Sequence, residues 1–305
     1  MSFMSNIFAY CIQSLVFEPP RNPGYREHEA VYVRTEDGLR IATMLVCPEA
    51  PACSGELCAF DRMDDLIDLG SESAPPARAT LPMAPKLRPL LLYSHGNAED
   101  IGTCLDYCQW LATNLDCDVL AYDYVGYGHS SVALMSEANM YRAIDAVFEH
   151  ACRNYTQHSG LFIMGRSLGS TASTYLARRL SELEREDGCR QYKGLVLVSP
   201  LASGFRVLFD VGEGSSSMIA VMDRLFCPVL YNVELVSEAV FIIHGLQDKV
   251  IDIRNAYEIQ AHVPARCSFP SLFVDAGHND VDILHGARML SQVRHFMRQC
   301  APKLR

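Results

Sequence analysis

Leu161-Phe162-Ile163-Met164-Gly165-Arg166-Ser167-Leu168-Gly169-Ser170-Thr171-Ala172 is the stretch that decides the fold. Leu161 to Met164 reads as a buried strand, and the residues from Ser170 to Leu180 continue as a helix. Between them stands Gly-x-Ser-x-Gly. In that setting the pattern marks a nucleophile elbow, a strained turn that lifts one serine hydroxyl above the edge of a sheet. The glycines answer a steric need, because a Cβ on either side of so sharp a turn would strike neighbouring backbone. Composition alone produces the five-residue pattern in roughly one chain in ten of this length. Its weight therefore rests on the flanking strand and helix, and on three further pieces elsewhere in the chain.

Outward from the elbow, apolar strands alternate with amphipathic helices. Strands are predicted near 89–94, 118–122, 160–165, 194–198, 239–244 and 270–274, and helices near 99–115, 136–153, 168–183, 252–262 and 282–299. Residues 29–34 and 39–47, joined by Glu36-Asp37-Gly38, read as a hairpin. Repeated βα alternation implies an α/β class fold, a mostly parallel central sheet with helices on both faces. Right-handed crossovers then bring every strand-to-helix loop to one edge, where residues distant in sequence can meet.

Three segments interrupt the pattern. Residues 1–20 place Phe3, Met4, Ile7, Phe8, Cys11, Ile12, Leu15 and Val16 on one helical face that Pro19-Pro20 ends. This helix either packs on the body of the protein or lies on a membrane surface, with Cys11 a lipidation site. Residues 48–86, rich in Pro, Ala, Ser and acidic side chains, read as a flexible insertion with one short helix near Met63–Leu69. Residues 201–238 fall between two strands and read as a small lid with a Gly/Ser tip at 212–217. The rest, 21–305, is read as one domain.

At 305 residues and 49% apolar, the chain has enough hydrophobic content for a large core. A formal charge of −10 argues against nucleic acid as a partner, since phosphate binding needs a basic surface. Twelve cysteines lack paired metal-ligand spacing, so neither a metal nor any other cofactor is expected. The first basic residue is Arg21, which leaves no cationic n-region for a secretory signal. A reducing, cytoplasmic setting with free thiols is the expectation.

Chemistry requires partners for Ser167, because a serine hydroxyl is a weak nucleophile until a base stands beside it. His278, in Asp275-Ala276-Gly277-His278-Asn279-Asp280 after a short strand, is the candidate base. Asp248, after the strand ending at His244, is the candidate for orienting its imidazole; Asp252, the rival, suits a helix N-cap. The order Ser167, Asp248, His278 is that of α/β-hydrolases and differs from the orders of the chymotrypsin and subtilisin folds. Ser94-His95-Gly96-Asn97-Ala98 follows an apolar strand and occupies the loop that supplies one oxyanion-hole amide. Asn97 is the expected donor, with Ala98 as the alternative, and Leu168 supplies the second amide. His95 and Asp123 are read as loop braces.

The blocks Ser94 to Ala98, Tyr122-Asp123-Tyr124-Val125-Gly126-Tyr127-Gly128-His129-Ser130-Ser131, Ser199-Pro200-Leu201-Ala202-Ser203-Gly204, His244 to Asp252 and Gly277-His278-Asn279-Asp280-Val281 resemble the α/β-hydrolase domain-containing 17 family. The resemblance covers most of 89–299. It implies an α/β-hydrolase fold and a membrane-associated serine hydrolase that removes palmitate from protein cysteines on the cytosolic face. The family's animal members carry an N-terminal cysteine cluster whose palmitoylation anchors them, whereas this chain offers Cys11 alone there. The activities kept beside this expectation are a small-ester or lipid esterase and, in another class, a non-catalytic binding protein on the same scaffold.

Overall fold

The computed structural model describes residues 17–49, 87–209 and 217–300. Residues 1–16 of the expected N-terminal helix, with Cys11, residues 50–86 of the 48–86 insertion and all of the 212–217 lid tip except Ser217 lie outside the described residues. Within them, eight strands form one sheet: β1 (Val31–Arg34), β2 (Arg40–Val46), β3 (Leu90–Ser94), β4 (Asp118–Tyr122), β5 (Leu161–Arg166), β6 (Gly194–Val198), β7 (Ala239–Gly245) and β8 (Leu272–Val274). Their spatial order is β1-β2-β4-β3-β5-β6-β7-β8. β2 runs against both neighbours and the remaining pairs are parallel. This is the α/β-hydrolase fold. Each predicted strand is present with ends shifted by two residues at most; Val31 opens the hairpin because a 3-10 turn occupies Glu27–Glu29.

The main helices are α1 (Ile101–Leu115), α2 (Glu137–Asn154), α3 (Gly169–Asp187), α7 (Arg254–His262) and α8 (Val281–Cys300), with three short ones, α4 (Gly204–Leu208), α5 (Ser217–Leu225) and α6 (Val229–Glu234), between β6 and β7. Side chains alternate along each buried strand, so the sheet feeds two cores. Leu90, Leu92 and Ile163 join α2 and α3 on one face. Leu91, Tyr93, Phe162 and Met164 join α1 and α8 on the other. Burial on both faces explains why these strands read as continuous apolar runs.

The register aligns the functional edge. Ser94 pairs with Tyr122 on one side and Gly165 on the other, and Arg166 pairs with Val198. The loops after β3, β4, β5 and β6 therefore start at nearly one level. Between β6 and β7 the expected lid is smaller than 201–238. Val229, Leu230 and Val233 of α6 are buried in the core, and α6 packs on α3 as a crossover helix. Among the described residues, α4 and α5 are what stands as a cap, joined by Ser203 Oγ donating to Asp223 at 2.6 Å and by Arg206 paired to the same carboxylate at 3.0 Å.

Candidate active site

β5 ends one residue before Ser167, and α3 begins two residues after it. The turn between is tight enough to force Ser167 to φ +51°, a region that non-glycine residues rarely adopt. Three contacts hold it there. Its N–H donates to Val198 O at 2.9 Å, and its carbonyl accepts from the Ser170 amide at 2.9 Å and the Ser170 hydroxyl at 2.6 Å. The flanking glycines are obligatory. A Cβ on Gly169 would lie 2.1 Å from Ser94 O, and one on Gly165 would lie 2.5 Å from Gly169 O. Both close approaches are to backbone, which cannot swing aside.

The structure brings Ser167, His278 and Asp248 into one line. Ser167 Oγ stands 3.0 Å from His278 Nε2, and His278 Nδ1 stands 2.6 Å from Asp248 Oδ2. A carboxylate can only accept, so Nδ1 carries the proton and Nε2 is left as the acceptor facing the serine hydroxyl. Asp248 Oδ1 accepts from the amides of Val250 and Ile251, each at 2.8 Å. The acid loop and base loop are also zipped together: Leu246 N donates to Val274 O at 2.7 Å and Gln247 N to Ala276 O at 2.9 Å. Gly245 permits this, since a Cβ there would sit 2.3 Å from Ala276 O.

A second imidazole reaches the same carboxylate. His244, fully buried on β7, has Nε2 at 3.2 Å from Asp248 Oδ2 and 2.8 Å from Ile251 O. Burial alone would raise the Asp248 pKa. The hydrogen bonds from His244, His278 and the Ile251 amide outweigh it and hold the carboxyl well below the usual carboxylate range. Asp248 is thus an anion throughout the neutral range, as an imidazole-orienting group must be. The sequence signal for His244 is a polar residue near the end of an otherwise apolar, buried strand.

Asp252 stays apart from this line. Its carboxylate accepts from Arg254 N at 2.9 Å at the start of α7, and the helix begins at Arg254 rather than 252 because that Asx contact precedes it. His95 is fully buried, with Nδ1 donating to Gly96 O at 2.8 Å and Nε2 3.5 Å from Asp123. Burial lowers its basicity, but Asp123 beside it more than compensates, and the net shift is upward. Asp123 in turn accepts from the Ile101 amide at 2.8 Å and from the Tyr25 hydroxyl. Both residues brace loops.

Leu168 and Asn97, the expected oxyanion donors, lie on the two loops that meet at Gly169. The backbone of Ser94 and His95 presses against Gly169, so the loop carrying Asn97 is seated directly on the elbow. Asn97 is held from its side chain: Oδ1 accepts from Tyr127 OH at 2.7 Å and from Glu18 N at 3.0 Å. Neither partner was legible in the sequence, because nothing local links positions 18, 97 and 127. Among the described residues, no group of three or more His, Cys, Asp or Glu side chains is arranged to hold a metal ion.

The chain resembles known proteins over this same region. The family described as serine aminopeptidase, S33, matches residues 85–226. α/β-Hydrolase domain-containing protein 17C of Mus musculus is 31% identical over 215 residues, 70% of this chain and 61% of that protein. The 17B protein of Xenopus tropicalis is 33% identical over 220 residues, 71% of this chain and 68% of its own length. For the first of these, the match spans about three-fifths of the relative's length. Among solved structures, the esterase Pf2001 of Pyrococcus furiosus superposes with a TM-score of 0.62 at 15% identity, covering 92% of this chain and 98% of that one. That likeness establishes the fold.

Proposed function

The chain belongs to the α/β-hydrolase domain-containing 17 family, and on that premise we propose that it is a serine hydrolase cleaving acyl thioesters or esters through an acyl-enzyme. S-palmitoylated protein is the substrate class. The observation that carries this reading is the hydrogen-bonded line from Ser167 through His278 to Asp248. In the first half-reaction Ser167 Oγ attacks the acyl carbonyl while His278 Nε2 takes its proton. The tetrahedral oxyanion is held by the amides of Leu168 and Asn97, each such donor contributing about 3 kcal/mol. Collapse breaks the carbonyl–sulfur bond, and the imidazolium protonates the departing thiolate. Water, deprotonated by His278, then attacks the acyl-serine; the imidazolium returns that proton to Ser167 Oγ as the acyl C–O bond breaks, which releases the fatty acid and restores the serine hydroxyl.

An acyl chain is supported as substrate by the apolar side chains exposed on the loops and short helical stretches that follow the strands. Leu246 and Val250 flank Asp248, Ile283 and Leu284 follow His278, and Val207 and Phe209 belong to the cap between β6 and β7; all six are exposed. An open rim of this kind suits an acyl group still attached to a protein better than a deep enclosed tunnel does. Among the described residues no helix is long and apolar enough to cross a membrane. Peripheral contact with the cytosolic face of a membrane, through residues 1–20, accompanies the proposal.

Labelling with a fluorophosphonate probe is the test. The native protein takes up label and Ser167→Ala does not; a native protein that fails to label is a binding module. Matched thioesters and oxygen esters of increasing chain length then define the substrate, with long-chain thioesters turned over fastest. A preference for short oxygen esters would overturn the palmitoyl assignment and leave an esterase.

A further inference from the structure

We infer that the segment Phe17–Tyr25 is a clamp that sets the position of the Asn97 loop, and that Tyr127 and the main chain of Glu18 are positioning groups acting through the Asn97 side chain. The inference rests on reading the Asn97 amide as an oxyanion donor.

The clamp begins in the core. Phe17 is 4% exposed and packs in the layer that contains Tyr127 and Leu168. The next residue donates its N–H to Asn97 Oδ1 at 3.0 Å, and Tyr127, itself fully buried, donates its hydroxyl to the same atom at 2.7 Å. An amide oxygen has two lone pairs, and both are occupied, so rotation about the Asn97 side-chain bonds is blocked. The segment then crosses the far end of the same loop. Gly24 N donates to Asp100 Oδ2 at 2.7 Å, and a Cβ on Gly102 would lie 2.2 Å from the Gly24 carbonyl carbon. Finally Tyr25 is tied to the loop after β4: its hydroxyl donates to Asp123 and accepts from His129 N at 3.2 Å, while His129 Nε2 donates to Tyr25 O at 2.9 Å. One short stretch thus grips both ends of the loop from Asn97 to Gly102 and the neighbouring loop that carries Tyr127.

Oxyanion stabilisation depends on donors placed before charge develops, and it falls steeply with small displacements. A clamp on Asn97 therefore affects the transition state more than substrate binding. It also makes turnover depend on how the chain enters at Phe17, near the end of the 1–20 segment expected to meet a membrane.

The experiment uses the full chain and reports kcat per active site titrated with fluorophosphonate. Tyr127→Phe lowers kcat about tenfold with KM changed less than about twofold. Glu18→Pro, which deletes the N–H donor, lowers kcat similarly, and Glu18→Ala, which keeps it, restores turnover. In an Asn97→Ala background, which retains the Asn97 amide, Tyr127→Phe has no further effect because its acceptor is gone. The same loss from Tyr127→Phe in both backgrounds, or a rise in KM at constant kcat, would overturn the clamp and leave Tyr127 as core packing. Failure of the catalytic reading is separate: Ser167→Ala would then keep its activity whatever the clamp variants do.

Discussion

The two halves of the functional edge are built by different means. On one side, Ser167, Asp248 and His278 are set by main-chain contacts: the elbow carbonyl caught by Ser170, the acid loop zipped to the base loop, and glycines that let backbone meet backbone. On the other side, the Asn97 loop is held by side chains and by a segment that lies 79 residues earlier in the chain. The first half is rigid because the main chains of adjoining loops are bonded to one another. The second depends on long-range bonds to the Asn97 side chain that form no part of the sheet ladder, so their removal should alter activity before it alters the fold.

The largest effects should fall on the first half. Ser167→Ala removes the nucleophile and lowers kcat by about ten-thousand-fold or more, measured on a chromogenic thioester. Asp248→Asn leaves a side chain that can donate to Nδ1, stabilises the wrong imidazole tautomer, and costs about a thousandfold or more. If Asp248→Asn were instead no worse than Tyr127→Phe, the two halves would be alike and the contrast would fail. Gly169→Ala places a methyl group against the Ser94 carbonyl. It should cost about 2 kcal/mol in a denaturant melt and about a hundredfold in kcat.

A smaller effect sharpens the account of Asp248. His244→Gln removes one of its two imidazole partners and lowers kcat about tenfold, with KM unchanged. The same variant reports on pH. Because the native Asp248 pKa is depressed, the folded state binds this proton less readily than the unfolded chain. Its contribution is present above the unfolded carboxylate pKa of about 4 and is lost as pH falls toward the native value. His244→Gln raises the native pKa, so melts at neutral pH are lower and decline less between about pH 5 and 2. An unchanged acid limb would show that His244 does not stabilise the carboxylate.

What the sequence disclosed follows the same division. The strands were legible because a sheet buried on both faces leaves apolar runs, and the triad candidates because each stands just after one of those runs. Asp248 is separable from Asp252 through its place: one stands in the turn just after a strand, the other two residues before a helix. His244 and Tyr127 were quoted within their blocks without a role, since a buried polar side chain reveals its purpose only when its partner is known. Crossover helix α6 was folded into the lid because a short amphipathic stretch gives no sign of what it packs against.

Acyl transfer to Ser167 is the step on which every other residue's role depends. Rapid quenching of the enzyme with a long-chain acyl thioester, followed by peptide mapping, tests it directly. The acyl group should be found on the peptide bearing Ser167, accumulating when hydrolysis is slower than acylation and absent from Ser167→Ala. Turnover that persists in Ser167→Ala, or an acyl group found on another residue that proves competent for hydrolysis, would contradict it.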